Sequence, residues 1–86
     1  MSRDLDPTKA KWPQISAAIE RDIRAGILAP AAQIPGAVAL SGLWGVSLTV
    51  ARKALADLRA KGLIRTENGV GTFVADTLPA KGTYVL

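Results

Sequence analysis

Ile15, Ile19, Ile23 and Ile27 recur every fourth residue with Ala18 beside them, while Glu20, Arg21, Asp22 and Arg24 fall on the other side. That spacing predicts one apolar stripe on a helix of about three turns. Pro13 suits the first turn, where a missing N–H costs nothing, and Gly26 offers a left-handed stop just past Arg24. Ala29-Pro30 and Ile34-Pro35-Gly36 then bracket an irregular connection, because each proline steers the residue before it away from helix. A short second helix over about 37–44 follows, with Leu40, Leu43 and Trp44 on its buried side. Gly42 inside it costs about 1 kcal/mol of helix propensity relative to alanine, so packing must hold that helix.

Gly45-Val46 makes a tight turn, and Ser47 can offer its oxygen to the free amides of a third helix. Ala51, Ala54, Leu55 and Leu58 give that helix its core stripe. Arg59 and Lys61 complement its C-terminal dipole, and Gly62 ends it. Period-two alternation over 63–67 and 71–75, around Asn68-Gly69-Val70, predicts a hairpin. The fold class is therefore α+β: a winged helix-turn-helix of three helices followed by a two-stranded β-hairpin wing. Residues 1–11 mix charge with Pro7 and read as a flexible N-terminal arm, 12–76 as the domain and 77–86 as a tail. In that tail Leu78 to Gly82 is irregular, and Thr83 to Leu86 could add a short strand.

Composition narrows the chemistry. Eighty-six residues allow one small domain. Without histidine or cysteine the chain lacks the commonest general base, nucleophile and metal ligands. The seven acids have no paired spacing, and the glycines at 69 and 71 sit in a hairpin rather than between strand and helix, so they form no nucleotide cradle. No catalytic residue, metal or cofactor is expected. No apolar run reaches the roughly 18–20 residues that span a bilayer, and the N-terminus has no signal-peptide core, which points to a cytoplasmic protein.

The net charge of +4 suits a polyanionic partner. Between Trp44 and Arg65 the cations are Arg52, Lys53, Arg59, Lys61 and Arg65 against the single acid Asp57, so this segment carries a charge equal to that of the whole chain. A recognition helix reads bases mainly with its N-terminal residues, while its amides can hold phosphate. The candidate DNA-binding residues on helix 47–60 are thus Ser47, Leu48, Thr49, Arg52 and Lys53, on the edge opposite the core stripe. Arg52 can fork onto a phosphate or onto guanine; Leu48 can only touch a thymine methyl. From the wing at 68–71 come Asn68 and Gly69, whose simpler role is forming the turn, and Arg65 on the adjoining strand is expected to reach a phosphate. Lys9 and Lys11 mainly solubilise the arm. Trp12 and Trp44 read as packing, since four aromatics are too few for a single-strand stacking platform.

Residues 12–75 resemble the DNA-binding domain of the GntR family of bacterial transcription regulators. The resemblance rests on Gly26-Ile27-Leu28-Ala29-Pro30 as a glycine-x-leucine-x-proline turn, Ile34-Pro35 at a leucine-proline step and Leu40 on the second helix. It continues through Gly45-Val46-Ser47, Arg52-x-Ala54-Leu55, Gly62-Leu63-Ile64 and Gly69-x-Gly71-Thr72-Phe73-Val74. It implies sequence-specific binding of double-stranded DNA as a transcriptional regulator, a repressor by preference. Gly36 and Val38 stand where the family carries serine and a DNA-gripping arginine, and Leu48 stands where it carries a guanine-reading arginine. The resemblance therefore implies an operator unlike the family's usual one.

Relatives of this kind typically add a C-terminal domain that binds a small effector and makes the dimer; the eleven residues after Ala75 are too few for one. A homodimer on a pseudo-palindromic site would then use the arm, the first helix or the tail. The alternative reading is a degenerate winged-helix module turned to protein contact, with DNA binding weakened or lost and with Val38, Leu48 and Val50 as an apolar patch.

Overall fold

The computed structural model describes residues 5–77. The expected irregular run over 78–82 and the short strand over 83–86 lie outside the described residues. Three helices and three strands follow in the order α1 (Lys11–Arg24), β1 (Gln33–Ile34), α2 (Ala37–Trp44), α3 (Leu48–Ala60), β2 (Ile64–Glu67) and β3 (Gly71–Val74). The core gathers where the stripe of α1 (Ile15, Ile19, Ile23) meets Ala51, Ala54, Leu55 and Leu58 of α3, closed by Leu40, Leu63, Ile64 and Val74. Alanines at 51 and 54 let the α3 backbone approach its neighbours closely, and each fully buried aliphatic contributes about 1.5–3 kcal/mol relative to exposure.

Two apolar positions depart from expectation. Ile27 is 69% exposed, because α1 ends at Arg24 and Gly26, at φ +80°, turns the chain off the stripe. Leu43 is 42% exposed: the eight-residue α2 buries Leu40 and Trp44, and Leu43 falls on its flank. Trp12, by contrast, packs against the core and Trp44 is buried in it.

Residues 5–10, read above as part of the arm, form a turn tied to α1. Ala10 at the N-cap has no capping side chain, and Gln14 reaches back instead. Its Oε1 accepts from the Asp6 amide at 2.7 Å, while its Nε2 donates to the carbonyls of Asp6 and Ala10. Leu5 packs against the core from this turn.

The sheet has one strand more than the sequence pattern predicts. Its order is β1-β3-β2, antiparallel throughout, with Gln33 opposite Phe73 and Ile34 opposite Thr72, and with Ile64 opposite Val74 and Glu67 opposite Gly71. β1 is two residues long and ends at Ile34, too short for alternation to show and followed by Pro35, a residue type confined to sheet edges. The turn before it is unusual. Ala32 N donates to Ala29 O at 3.0 Å, Pro30 presets the second position, and Ala31 takes the third at φ +65°, a region that strains any residue with a Cβ.

A polar strap crosses from α1 to α3 beside the core. Buried Ser16 donates its hydroxyl to Asp57 Oδ2, Lys61 Nζ bridges Asp57 at 3.0 Å and Glu20 at 3.4 Å, and Glu20 also holds Arg24 Nε at 3.0 Å. Burial opposes ionisation of Asp57, but the Ser16 hydrogen bond and the Lys61 ammonium together outweigh it and hold its carboxyl below the ordinary range. The hydrogen bond to Asp57 in turn raises Lys61 above the usual ammonium value.

Two stability predictions follow from these contacts. Ala31→Gly relieves the positive-φ strain at the cost of a freer unfolded chain, and should raise unfolding free energy by roughly 0.5–1 kcal/mol in urea titrations. A loss of stability would mean the turn is not held as described. Asp57→Asn should cost about 1–2 kcal/mol near neutral pH. Because the folded carboxyl titrates below 3.8, the wild-type advantage is complete above that value and fades as pH drops beneath it. Urea midpoints of the two proteins should therefore converge as the pH falls through the titration of the folded carboxyl; a constant gap would exclude the strap as its source.

Candidate nucleic-acid interface

The turn between α2 and α3 is fixed from both sides. Gly45 caps α2 in the left-handed region at φ +65°, and its amide donates to the Ser41 carbonyl. The Val46 amide also reaches Ser41 O at 3.1 Å, while the Ser41 hydroxyl donates back to Val46 O at 2.8 Å. Ser47 then sits at the N-cap of α3 in extended conformation, its Oγ accepting from the Val50 amide at 3.2 Å. The amides of Leu48 and Thr49 have no intrahelical partner at this position and remain donors for an anion.

Once Ala51, Ala54, Leu55 and Leu58 face inward, the opposite edge of α3 is set. Ser47, Thr49, Arg52 and Lys53 are exposed there together, with Leu48 half-buried at its start. Val50, expected in an apolar surface patch, packs against the core instead, whereas Val38 on α2 is 76% exposed. At the wing tip, Asn68, Gly69 and Val70 are all exposed. The Val70 amide closes the turn on Glu67 O at 3.0 Å with Gly69 at φ +76°, so Gly69 carries the backbone conformation the turn needs. Just behind the wing tip, the side-chain amide of Gln33 lies over Gly71, in the space a Cβ would occupy, and donates to Val70 O at 3.4 Å.

Arg65 lies apart from this surface. Alternation puts Ile64 and Thr66 on the sheet face toward α3, and Arg65, opposite Phe73, on the other face. Its Nη1 pairs with Glu67 Oε1 at 2.8 Å, its Nη2 approaches Asp76 Oδ1 at 3.7 Å, and its guanidinium stacks 5.0 Å from the Phe73 ring. The guanidinium expected to reach a phosphate is thus paired with two solvent-exposed carboxylates here. The side chain that does look across from the helix to the wing is Arg59, whose Nη2 donates to Thr66 Oγ1 at 3.1 Å. Arg52 and Arg59 line one open cleft of about 420 Å³ with Ala37, Leu55, Thr66 and Thr72. Among the described residues Arg52, Lys53 and Arg59 form no ion pair, while Lys61 and Arg65 do. No group of three or more metal-ligating side chains occurs among the described residues, nor is any helix there long and apolar enough to cross a membrane.

A helix-turn-helix followed by a hairpin wing is the arrangement seen here, and the family model of bacterial regulatory proteins, gntR family, matches residues 13–74. The chain belongs to the gntR family. Solved structures agree with that placement. The DNA-binding domain of AraR in complex with operator ORX1 is 35% identical, with 87% of each chain covered and a TM-score of 0.71. YtrA from Sulfolobus acidocaldarius, a GntR-family transcription factor, is 25% identical at a TM-score of 0.79, covering 90% of this chain and 81% of that one. A GntR family transcriptional regulator from Listeria monocytogenes shares the fold at 23% identity and a TM-score of 0.81, covering 85% of this chain. This chain spans 64% of that regulator's length. No curated protein matches the sequence.

Sequence reasoning singled out the helix edge of this gntR-family domain and passed over Ser41, Gln33, Arg59 and Thr66. For Ser41 and Gln33 no pattern signals the role, since each acts through a backbone atom brought near by the fold. Arg59 was visible as an i+7 partner of Arg52, and the alternation of Thr66 with Ile64 places it on the α3 side of the sheet. For Ser47, the capping geometry carries a direct consequence: Ser47→Ala should cost about 1 kcal/mol of stability, and Ser47→Asp, an equally good cap, should restore most of it in thermal melts. Equal losses for both substitutions would show that the cap contributes little.

Proposed function

We propose that the chain binds double-stranded DNA sequence-specifically as a transcriptional regulator, a repressor by preference, laying the exposed edge of α3 in the major groove with the wing tip at its flank. The observation that carries this reading is the joint exposure of Ser47, Thr49, Arg52 and Lys53 on one edge, fixed there by burial of the opposite stripe. The operator complex of the AraR domain supports it, because that structure is similar to this chain over nearly its whole length. In this reading Arg52 forks onto a base edge or phosphate, Lys53 and the first amides of α3 hold backbone phosphates, and Leu48 reads by contact with a thymine methyl. Asn68 and Gly69 bring the wing tip to the duplex through backbone and amide groups. Arg65 joins only by exchanging its carboxylate partners for a phosphate.

A pseudo-palindromic operator read by a homodimer suits a domain with few free cations, since two protomers double the contacts. A protein working on DNA in this way resides in the cytoplasm, at the nucleoid when bound. The reading as a protein-contact module has less to stand on: Val50 is engaged in packing, which leaves Val38 and a half-buried Leu48 rather than a continuous patch.

Replacing Arg52 and Lys53 together by alanine should lower affinity for genomic fragments selected by the wild-type protein at least tenfold, on the scale of one lost bidentate contact, without changing the circular dichroism spectrum. Retention that survives this double substitution and fails with Leu48→Ser would sink the DNA reading in favour of protein contact.

A further inference from the structure

A helix laid in the major groove with a hairpin at its flank must have the sugar–phosphate strand that edges the groove between them. In this molecule the space between them is the cleft lined by Arg52, Arg59, Thr66 and Ala37. We infer that this cleft is a seat for a DNA backbone phosphate, with Arg59 as its principal donor; the inference rests on the duplex-binding reading above.

Four observations converge on it. Arg52 and Arg59 stand seven residues apart on one face of α3, which is two turns or roughly 10 Å along the axis, so they bracket the cleft from end to end. Arg59 has no carboxylate partner among the described residues, and one of its donors rests on the hydroxyl of Thr66 at 3.1 Å. That bond aims the guanidinium toward the wing and leaves most of its five N–H groups open. A neutral hydroxyl yields to an anion far more readily than the carboxylates around Arg65 would. The wall between the two arginines includes buried Leu55, and a low-dielectric wall strengthens attraction between a guanidinium and a phosphate. Finally, Ala37 opens α2 at the same cleft, and α2 begins without a side-chain cap, so its first amides are further donors at the mouth.

The seat also bears on the apolar residues at Val38 and Leu48. Neither can hold a phosphate, and the arginine that can lies instead at the far end of the recognition helix. A planar fork on a phosphate is a positional contact, so Arg59 sets how tightly the duplex is held and contributes nothing to which sequence is chosen.

The experiment measures binding of a fluorescein-labelled mixed-sequence duplex, three helical turns long, by anisotropy at several KCl concentrations from roughly 50 to 200 mM. Wild type, Arg59→Gln and Arg59→Lys are compared, and thermal melts are recorded for each. Arg59→Gln should weaken binding roughly three- to tenfold at the lowest salt and reduce the slope of log affinity against log salt by about 0.9, with an unchanged melting temperature. Arg59→Lys should keep the wild-type slope. A glutamine variant with wild-type slope and affinity but a lower melting temperature would overturn the inference and make Arg59 a brace for β2. That result leaves duplex binding standing. Absence of salt-sensitive binding by the wild-type protein would remove the duplex reading, and this seat with it.

Discussion

The direction in which α3 faces governs the rest of the molecule. A helix of thirteen residues has one face to bury, and here that face is Ala51, Ala54, Leu55 and Leu58 against α1, the small residues allowing close approach. Burial alone fixes rotation about the helix axis more firmly than it fixes sliding along it. The Ser16–Asp57–Lys61–Glu20 strap supplies what burial lacks, because hydrogen bonds and ion pairs are sensitive to a displacement of an ångström. At the other end, the Ser41 and Val46 hydrogen bonds hold the turn that delivers Ser47 to its cap. The exposed edge is therefore a remainder: what is left once core, strap and turn have taken their share of α3.

Formal charge is a poor guide to what such an edge offers a polyanion. Five cations lie between Trp44 and Arg65, yet the fold commits Lys61 to Asp57 and Glu20, and Arg65 to Glu67 and Asp76. Arg52, Lys53 and Arg59 are outside those pairs, and all three lie on α3. The same segment that is strongly basic on paper thus carries its free positive charge on one helix rather than spread over helix and wing. Counting ion pairs in three dimensions moves the electrostatic centre away from the hairpin.

Most of the architecture was legible in the sequence because it rests on patterns several residues long. The stripes of α1 and α3, the Ser47 cap and the hairpin around Gly69 each depend on spacing or on a residue type with one favoured local use. What escaped was short or non-local. β1 spans two residues and exists only because β3 offers its edge, so no periodicity could announce it. Ile27 and Leu43 were assigned to the core by spacing, but one lies beyond its helix end and the other on the flank of a helix only two turns long. For the site, the exposed edge of α3 was readable as the complement of its buried stripe. The fate of Arg65 was not, since its partners Glu67 and Asp76 are acids whose nearness to it depends on the path of β2 and of the chain after β3.

The central position of β3 gives the hairpin a mechanical character. Paired to β2 on one side and to β1 on the other, and steadied just below its tip by Gln33 over Gly71, the wing is braced along its length below residues 68–70. The gap between hairpin and α3 is then a fixed gauge rather than an adjustable jaw. Under the proposed seating, a duplex entering it must supply the deformation itself, and stretches whose groove width already matches the gauge would be held at lower energetic cost than stiffer ones. Selectivity could in this way extend to base pairs that no side chain of the protein touches.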